Sequence, residues 1–302
     1  MSENNLAPIV LFVYNRPWHT QQTVKALQNN DLADGSKLFI FSDAAKNDAE
    51  VENVEKVREY IKTIDGFIHI TIIEREKNCG LDNSIIKGVT EIVNRYGKII
   101  VLEDDLVTSK YFLSFMNDAL EFYKDENKVI SIHGYVYPIK SELPETFFIK
   151  GADCWGWATW KRGWNIFEPD GKKLLDELKE KNLMKKFDIN GSYAYTKMLS
   201  GQIANRNDSW AIRWYASAFL KDNLTLYPGR SLVFNIGLDA SGTHSGNTNL
   251  YDTVVTDRPV KLINIPIEEN IFVLREIEKY FRMTKQNIVK KIFYKIIRGF
   301  YK

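Results

Sequence analysis

The sequence predicts an α/β fold: a mostly parallel central sheet flanked by helices, with an amphipathic helical tail at the C-terminus. Three observations predict it. Across the first 135 residues, short apolar stretches alternate with helical stripes at the spacing of βαβ units. The ends of those stretches carry polar residues, at the edge where open α/β sheets bind ligands. The final segment sets apolar residues at helical spacing among lysines and arginines. A chain of 302 residues can bury a large core as one α/β domain, or as one domain with an appendage.

The strand candidates in order are Pro8 to Tyr14, Lys37 to Ser42, Phe67 to Ile73, Lys98 to Leu102 and Lys128 to His133. After the first comes Tyr14, Asn15, Arg16, Pro17, where Pro17 suits the first position of a helix and its predecessors form a turn at the helix N-terminus. Val51, Val54, Val57 and Ile61 give the next helix, and Ile85, Ile86, Val89, Ile92 and Val93 the one after. From Pro144 the alternation fails. A Trp-rich stretch follows, then helix from about Gly171 to Leu220, then strand around Leu224 to Gly237. Without a repeat or low-complexity linker, the second half is expected to build onto the same sheet. The expected organisation is one domain over 1–265, its halves 1–135 and 136–265, followed by the tail 266–302.

Composition excludes little. A formal net charge of +2 gives no overall preference for nucleic acid or acidic partners. Cys79 and Cys154 stand far apart with no CxxC pairing, which fits a reducing cytoplasm and argues against a disulfide framework or structural zinc. MSENNLAP is not a signal segment, and no apolar run reaches the length of a membrane span. A cytoplasmic protein is expected.

The segment KIIVLEDDL runs a short apolar strand into Glu103, Asp104 and Asp105. Three adjacent carboxylates repel one another, and partial burial raises their pKa values unless a cation compensates them. Hard divalent ions such as Mg²⁺ or Mn²⁺ take such oxygen ligands and share them with substrate phosphates. An acidic turn left in solvent is the alternative. Other strand ends are also polar. Asp43 follows the second and is suited to a base or ribose edge; Asn78, Gly80 and Asn83 follow the third, where backbone amides can approach a ligand. Ordinary turn chemistry explains each of these singly. Together with the acidic triplet they describe a site.

The chain resembles GT-A-fold glycosyltransferases. PIVLFVYNRP and NCGLDNSI are similar to family-2-type enzymes, and IIVLEDDLVTSKYFLSFMNDAL is similar to N-acetylglucosaminyltransferase I. The resemblance covers most of residues 7 to 245, and its most specific part is EDDL followed by a Phe-rich helix. It implies a nucleotide-sugar donor, with UDP as the nucleotide, and Mn²⁺ (or Mg²⁺) as cofactor. Glu103 would then contact the donor sugar, Asp104 the ribose or metal shell, and Asp105 the metal bridging the diphosphate. Asn15, Arg16 and Asp43 match the positions that cradle uridine. For inversion a base must take the proton of the attacking hydroxyl, and Asp208 in RNDSWAIRW matches the acid before Trp in inverting relatives. A helix N-cap is the competing role of Asp208, and both roles coexist if Ser209 caps. Asp153 and Glu168 are reserve candidates.

Trp155, Trp157, Trp160 and Trp164 crowd one segment. The spacing of Trp157, Trp160 and Trp164 fits one helix face and core packing. Trp155, Gly156 and Trp157 are the candidates for sugar or acceptor contact, because flat aromatic faces pack against sugar C–H faces. His244, in a Gly- and Ser-rich loop, is a further candidate metal ligand or an exposed bystander. From Lys279 to Lys302 the tail carries eight Lys or Arg residues and no acid, with Ile288, Val289, Ile292, Phe293, Ile296, Ile297 and Phe300 on a stripe. Such a helix either lies on anionic lipid at the inner face of the cell membrane, beside a lipid-linked or glycan acceptor, or docks on the protein body. No nucleic-acid-binding module is apparent. Two other classes stay open: a sugar-phosphate nucleotidylyltransferase, although VYNRPW lacks its Gly-rich loop, and a catalytically silent glycan-binding protein.

Overall fold

The computed structural model describes residues 6–241 and 248–300, with side chains as far as residue 285. β1 (Ile9–Val13) leads into α1 (Pro17–Gln28), β2 (Lys37–Ser42) into α2 (Asp48–Ile61), and β3 (His69–Glu74) into α3 (Leu81–Tyr96), which returns as β4 (Lys98–Glu103). These four strands are parallel, in the order β3-β2-β1-β4. Proline at the first position starts α1, and the Asn47 side chain caps α2 by accepting from the Ala49 N–H at 3.1 Å. Alternate residues of β1 serve opposite cores. Ile9, Leu11 and Val13 pack with Val57 and Ile61 of α2, whereas Val10 and Phe12 pack with Ile85, Val89 and Val93 of α3. Val51, at the open end of the α2 stripe, is exposed.

Next come β5 (Leu106–Thr108) and α4 (Phe112–Phe122), whose Phe112, Leu113, Phe115 and Met116 fill the first core. Then come β6 (Val129–His133), β7 (Thr146–Lys150), β8 (Trp157–Trp160), α5 (Lys161–Trp164), α6 (Gly171–Glu180) and α7 (Met184–Phe187). α8 (Tyr195–Ile203), α9 (Trp210–Leu220), β9 (Leu224–Pro228), β10 (Val233–Asn235) and α10 (Ile271–Phe300) complete the elements of the described residues. The sheet continues from β4 as β8-β6-β9-β7, giving eight strands drawn from both halves. β8 runs antiparallel between β4 and β6, so the sheet is parallel in its first half and mixed in its second. β5 and β10 pair separately as an antiparallel ribbon.

The tryptophan segment differs from the helix face that its spacing predicts. Trp157 and Trp160 lie in a strand and point to opposite cores: Trp157 stacks with Trp210 at 5.5 Å, while the Trp160 indole donates to the Leu120 carbonyl at 3.0 Å on the other side. Only Trp164 is in the short helix, and it rejoins Trp157 and Trp214. Packing across a central sheet outweighs the local 3,4 spacing here.

α10 is docked at its start, where Val273, Ile277 and Phe281 are buried against Phe147 and Tyr227. The stripe from Ile288 to Phe300 lies outside the described side chains. Among the described residues no helix is long and apolar enough to cross a membrane.

Candidate active site

Parallel pairing of β1 with β4 sets Phe12 opposite Glu103, so the turn after β1 arrives beside the acidic triplet. Arg16 is the last residue before α1. Its Nη2 donates to Asp105 Oδ2 at 3.0 Å and also pairs closely with Asp104 Oδ1. The Asp104 carbonyl accepts from Thr23 Oγ1 of α1 at 2.8 Å, which fixes the backbone of the triplet. From the far side the Ile236 N–H donates to the Asp105 carbonyl at 2.9 Å. Gly237 then passes so close that a Cβ there would lie 2.1 Å from Asp105 Oδ2. A side chain there would have to push the Asp105 carboxylate and the Arg16 guanidinium aside.

One guanidinium faces three carboxylates. Burial pushes the Glu103 carboxyl up to about 8, and the charges of Asp105 and Asp104 add to that against the opposing pull of Arg16. Burial also raises Asp104, opposed by Arg16 and reinforced by Asp105. For Arg16, burial opposes the charge, but Asp104 and Asp105 outweigh it and hold the guanidinium more firmly protonated than usual. The triplet thus keeps excess negative charge that Arg16 alone does not satisfy. This chemistry fits a hard divalent cation that takes one or two carboxylates and completes its shell with phosphate oxygens and water. Among the described residues no group of three or more His, Cys, Asp or Glu side chains could hold an ion on protein ligands alone. His244 lies outside the described residues.

The triplet lies on a cavity of about 350 Å³. Asn15, Arg16, Asp43, Asn78 and Gly80 line one side, and Trp155, Asp208 and Ser209 line another. The structure therefore gathers, around one space, strand ends from the first half and loops from the second. Asp43 is buried, and its carboxylate accepts from the backbone N–H groups of Ala44, Cys79 and Gly80 at 3.0–3.1 Å. It shapes the loop that enters α3, where Gly80 takes φ +77° and Asn78 donates to the Ala44 carbonyl at 2.7 Å. Asn83 is exposed, binds the Cys79 carbonyl at 3.1 Å and does not line the cavity.

In the second half, Ser209 caps α9 by accepting from the Ile212 N–H at 3.3 Å, which leaves the cap role to the neighbour of Asp208. Arg213 on the same helix donates to Asp82 at 3.1 Å, tying α9 to the first turn of α3. Trp155 is half-buried and edge-on to Tyr135, with ring centroids 4.7 Å apart. Gly156 is buried in the rim of the sheet, its carbonyl accepting from the Gly134 N–H at 2.7 Å. Trp157 is fully buried and faces the core rather than the cavity. Glu168 lies away from the cavity, accepting from Lys173 and the Asp170 N–H.

The sequence reading missed Lys46 and Ser84, which also line the cavity. The signal for both was position: Lys46 follows the end of β2, and Ser84 stands in the first turn of α3. It also missed Arg16 as the partner of the triplet. That could have been found by asking which strand end adjoins β4.

No family profile matches the chain, and no curated protein is similar to it. Among solved structures it is similar to a mannosyltransferase from Pyrobaculum calidifontis in complex with GDP-Man and Mn²⁺, at 13% identity and TM-score 0.33 over 45% of this chain. It is similar to S. aureus TarS at 13% identity and TM-score 0.39 over 77% of this chain. A UDP-glucose pyrophosphorylase complexed with UDP-glucose gives 10% identity and TM-score 0.36 over 74% of this chain and 90% of its own. The chain spans 37% of the length of the mannosyltransferase and 37% of TarS. Likeness at this level assigns no activity.

Proposed function

We propose that the chain is a GT-A-fold, metal-dependent, inverting glycosyltransferase. It transfers a sugar from a nucleoside-diphosphate donor, UDP-linked, to a hydroxyl of a glycan or lipid-linked acceptor in bacterial surface polysaccharide assembly. One observation carries the reading: an acidic triplet, left partly uncompensated by Arg16, shares a cavity with the carboxylate of Asp208. Asp105 would hold Mn²⁺ or Mg²⁺ together with the donor diphosphate, with Glu103 against the donor sugar and Asp104 at the ribose or the metal shell. When bound, the ion neutralises the departing nucleoside diphosphate.

The chain's own residues supply the rest. Arg16 holds Asp104 and Asp105 in place, and Asp43 holds the loop 78–80 that forms the nucleotide side of the cavity. Asn15, Asn78 and Lys46 offer polar contacts to the nucleotide. Asp208 accepts the proton of the acceptor hydroxyl as its oxygen bonds to the anomeric carbon and the bond to the diphosphate breaks, inverting that carbon. The eight basic residues of 279–302 support a membrane-linked acceptor.

The test is calorimetry and product analysis across UDP-, GDP- and dTDP-sugars, with and without Mn²⁺. Metal-dependent binding of one donor and release of its nucleoside diphosphate are expected. Formation of nucleoside triphosphate from pyrophosphate and the sugar nucleotide would instead make the protein a nucleotidylyltransferase. Binding without turnover would make it a silent glycan-binding protein.

A further inference from the structure

We propose that Asp153 and the tyrosines around it form the acceptor subsite, which binds the hydroxyls of a neutral pyranose beside the donor cavity. The proposal rests on the glycosyltransferase reading and names where its second substrate binds.

Asp153 stands in the loop between β7 and β8, two residues before Trp155, and is half-buried. Tyr137 and Tyr227 donate their hydroxyls to the same carboxylate oxygen, Oδ2, at 3.2 and 3.1 Å. Among the described residues no donor reaches Oδ1. A carboxylate has about four acceptor positions, so half of this one is unused. Burial, reinforced by the charge of Asp153, pushes Tyr137, Tyr195 and Tyr227 well above the ordinary phenol range, so they remain hydroxyl donors.

His133 fixes the loop that carries Asp153 and Trp155. It is 1% exposed and packs edge-on to Tyr227, with centroids 4.9 Å apart. Its Nε2 accepts from the Trp155 N–H at 3.1 Å, so its proton sits on Nδ1. That Nδ1 is turned toward the Tyr135 backbone, which favours its proton. The unused acceptor position therefore lies on Asp153, in a loop whose Trp155 backbone is fixed by His133.

The wall is also aromatic. Tyr135 is edge-on to both Tyr137, at 5.5 Å, and Trp155, at 4.7 Å. Trp155 is the ring of this group that lines the donor cavity, and an aromatic face beside a carboxylate matches a pyranose, which offers apolar C–H faces and a belt of hydroxyls. The subsite adjoins the donor cavity through Cys154, which lines that cavity and feels the charges of Asp153, Glu103 and Asp105 together.

The experiment titrates the full chain with methyl glycosides of glucose, galactose, mannose and N-acetylglucosamine, followed by saturation-transfer NMR and calorimetry. In parallel it titrates UDP with Mn²⁺. At least one glycoside is expected to bind the wild type, about ten- to hundredfold weaker in Asp153→Asn, with UDP affinity changed by less than about twofold. Tyr137→Phe removes one hydroxyl without altering charge and should weaken the same glycoside severalfold, which keeps the test decisive if Asp153→Asn fails to fold. The subsite is overturned if UDP binds but no glycoside does, if Asp153→Asn binds glycoside like the wild type, or if tetramethylammonium binds in place of every glycoside. Failure of the wild type to bind any nucleotide would strike the donor reading instead.

Discussion

Nη2 of Arg16 lies 3.0 Å from Oδ2 of Asp105, and the same nitrogen pairs with Asp104. A residue at the end of β1 thus holds two carboxylates at the end of β4. Both Arg16 and Asp105 are 15% exposed at the side chain, so solvent screens the pairs only weakly.

Removing that guanidinium should expose the strain of the triplet. Arg16→Ala leaves three neighbouring acids without a cation, and breaking a partly buried pair of this kind costs about 3 kcal/mol, less whatever protonation relieves. Urea unfolding at pH 7 measures it. Added Mn²⁺ should recover part of the loss, because a divalent cation replaces the missing charge. A loss below about 0.5 kcal/mol would show instead that the pair behaves as an exposed one.

The pH dependence of stability should carry the mark of Glu103. Its carboxyl has an ordinary value of 4.5 in the unfolded chain and is pushed up to about 8 in the folded one. Between those values the folded state keeps a proton that the unfolded state has released, so stability falls as pH rises from about 4.5 to about 8. Asp104, raised in the same direction, adds to the slope. Glu103→Gln should flatten the slope and make the protein more stable than the wild type at pH 8, as read from urea midpoints between pH 5 and 9. Identical slopes for the two proteins would show that Glu103 ionises normally in the fold.

Trp155 and Trp157 should separate binding from folding. Trp157 is fully buried among Trp164, Trp210 and Trp214, so Trp157→Ala should cost about 3–5 kcal/mol. Trp155 is half-buried on the cavity, and Trp155→Ala should weaken ligand binding by more than it lowers the melting temperature. Thermal unfolding with and without UDP and Mn²⁺ separates the two effects. A cold, unstable Trp155 variant with unchanged ligand stabilisation would assign Trp155 to the core as well.

These tryptophans also mark where the sequence stops being informative. The first half was legible because βαβ periodicity is local: the apolar runs of β1, β2 and β4 and the stripes of α2 and α3 announce themselves within a dozen residues. The acidic triplet was legible because its charge needs compensation wherever it lies. What the sequence hid is set by pairing across long separations. Placing β8 between β4 and β6 joins residues 24 to 62 positions apart, and no local pattern in CWGWATW distinguishes that strand from a helix. Arg16 was hidden likewise, since its partnership with Asp104 spans 88 residues and depends on the order of strands.

Asp208 offers the sharpest division between a structural and a chemical role. Were it the cap of α9, its replacement would cost about 1 kcal/mol of stability. Ser209 already accepts the Ile212 N–H at 3.3 Å, so the cap does not need Asp208. Asp208→Asn should therefore lower the urea midpoint less than loss of the cap does and leave the affinity for UDP and Mn²⁺ intact, while lowering the rate of sugar transfer by about 10²–10⁴. Ser209→Ala should do the reverse, losing about 1 kcal/mol with a far smaller effect on rate. The two variants measured side by side decide the matter, because a loss of stability in Asp208→Asn equal to that in Ser209→Ala would return the carboxylate to the scaffold and leave the acceptor proton without a base.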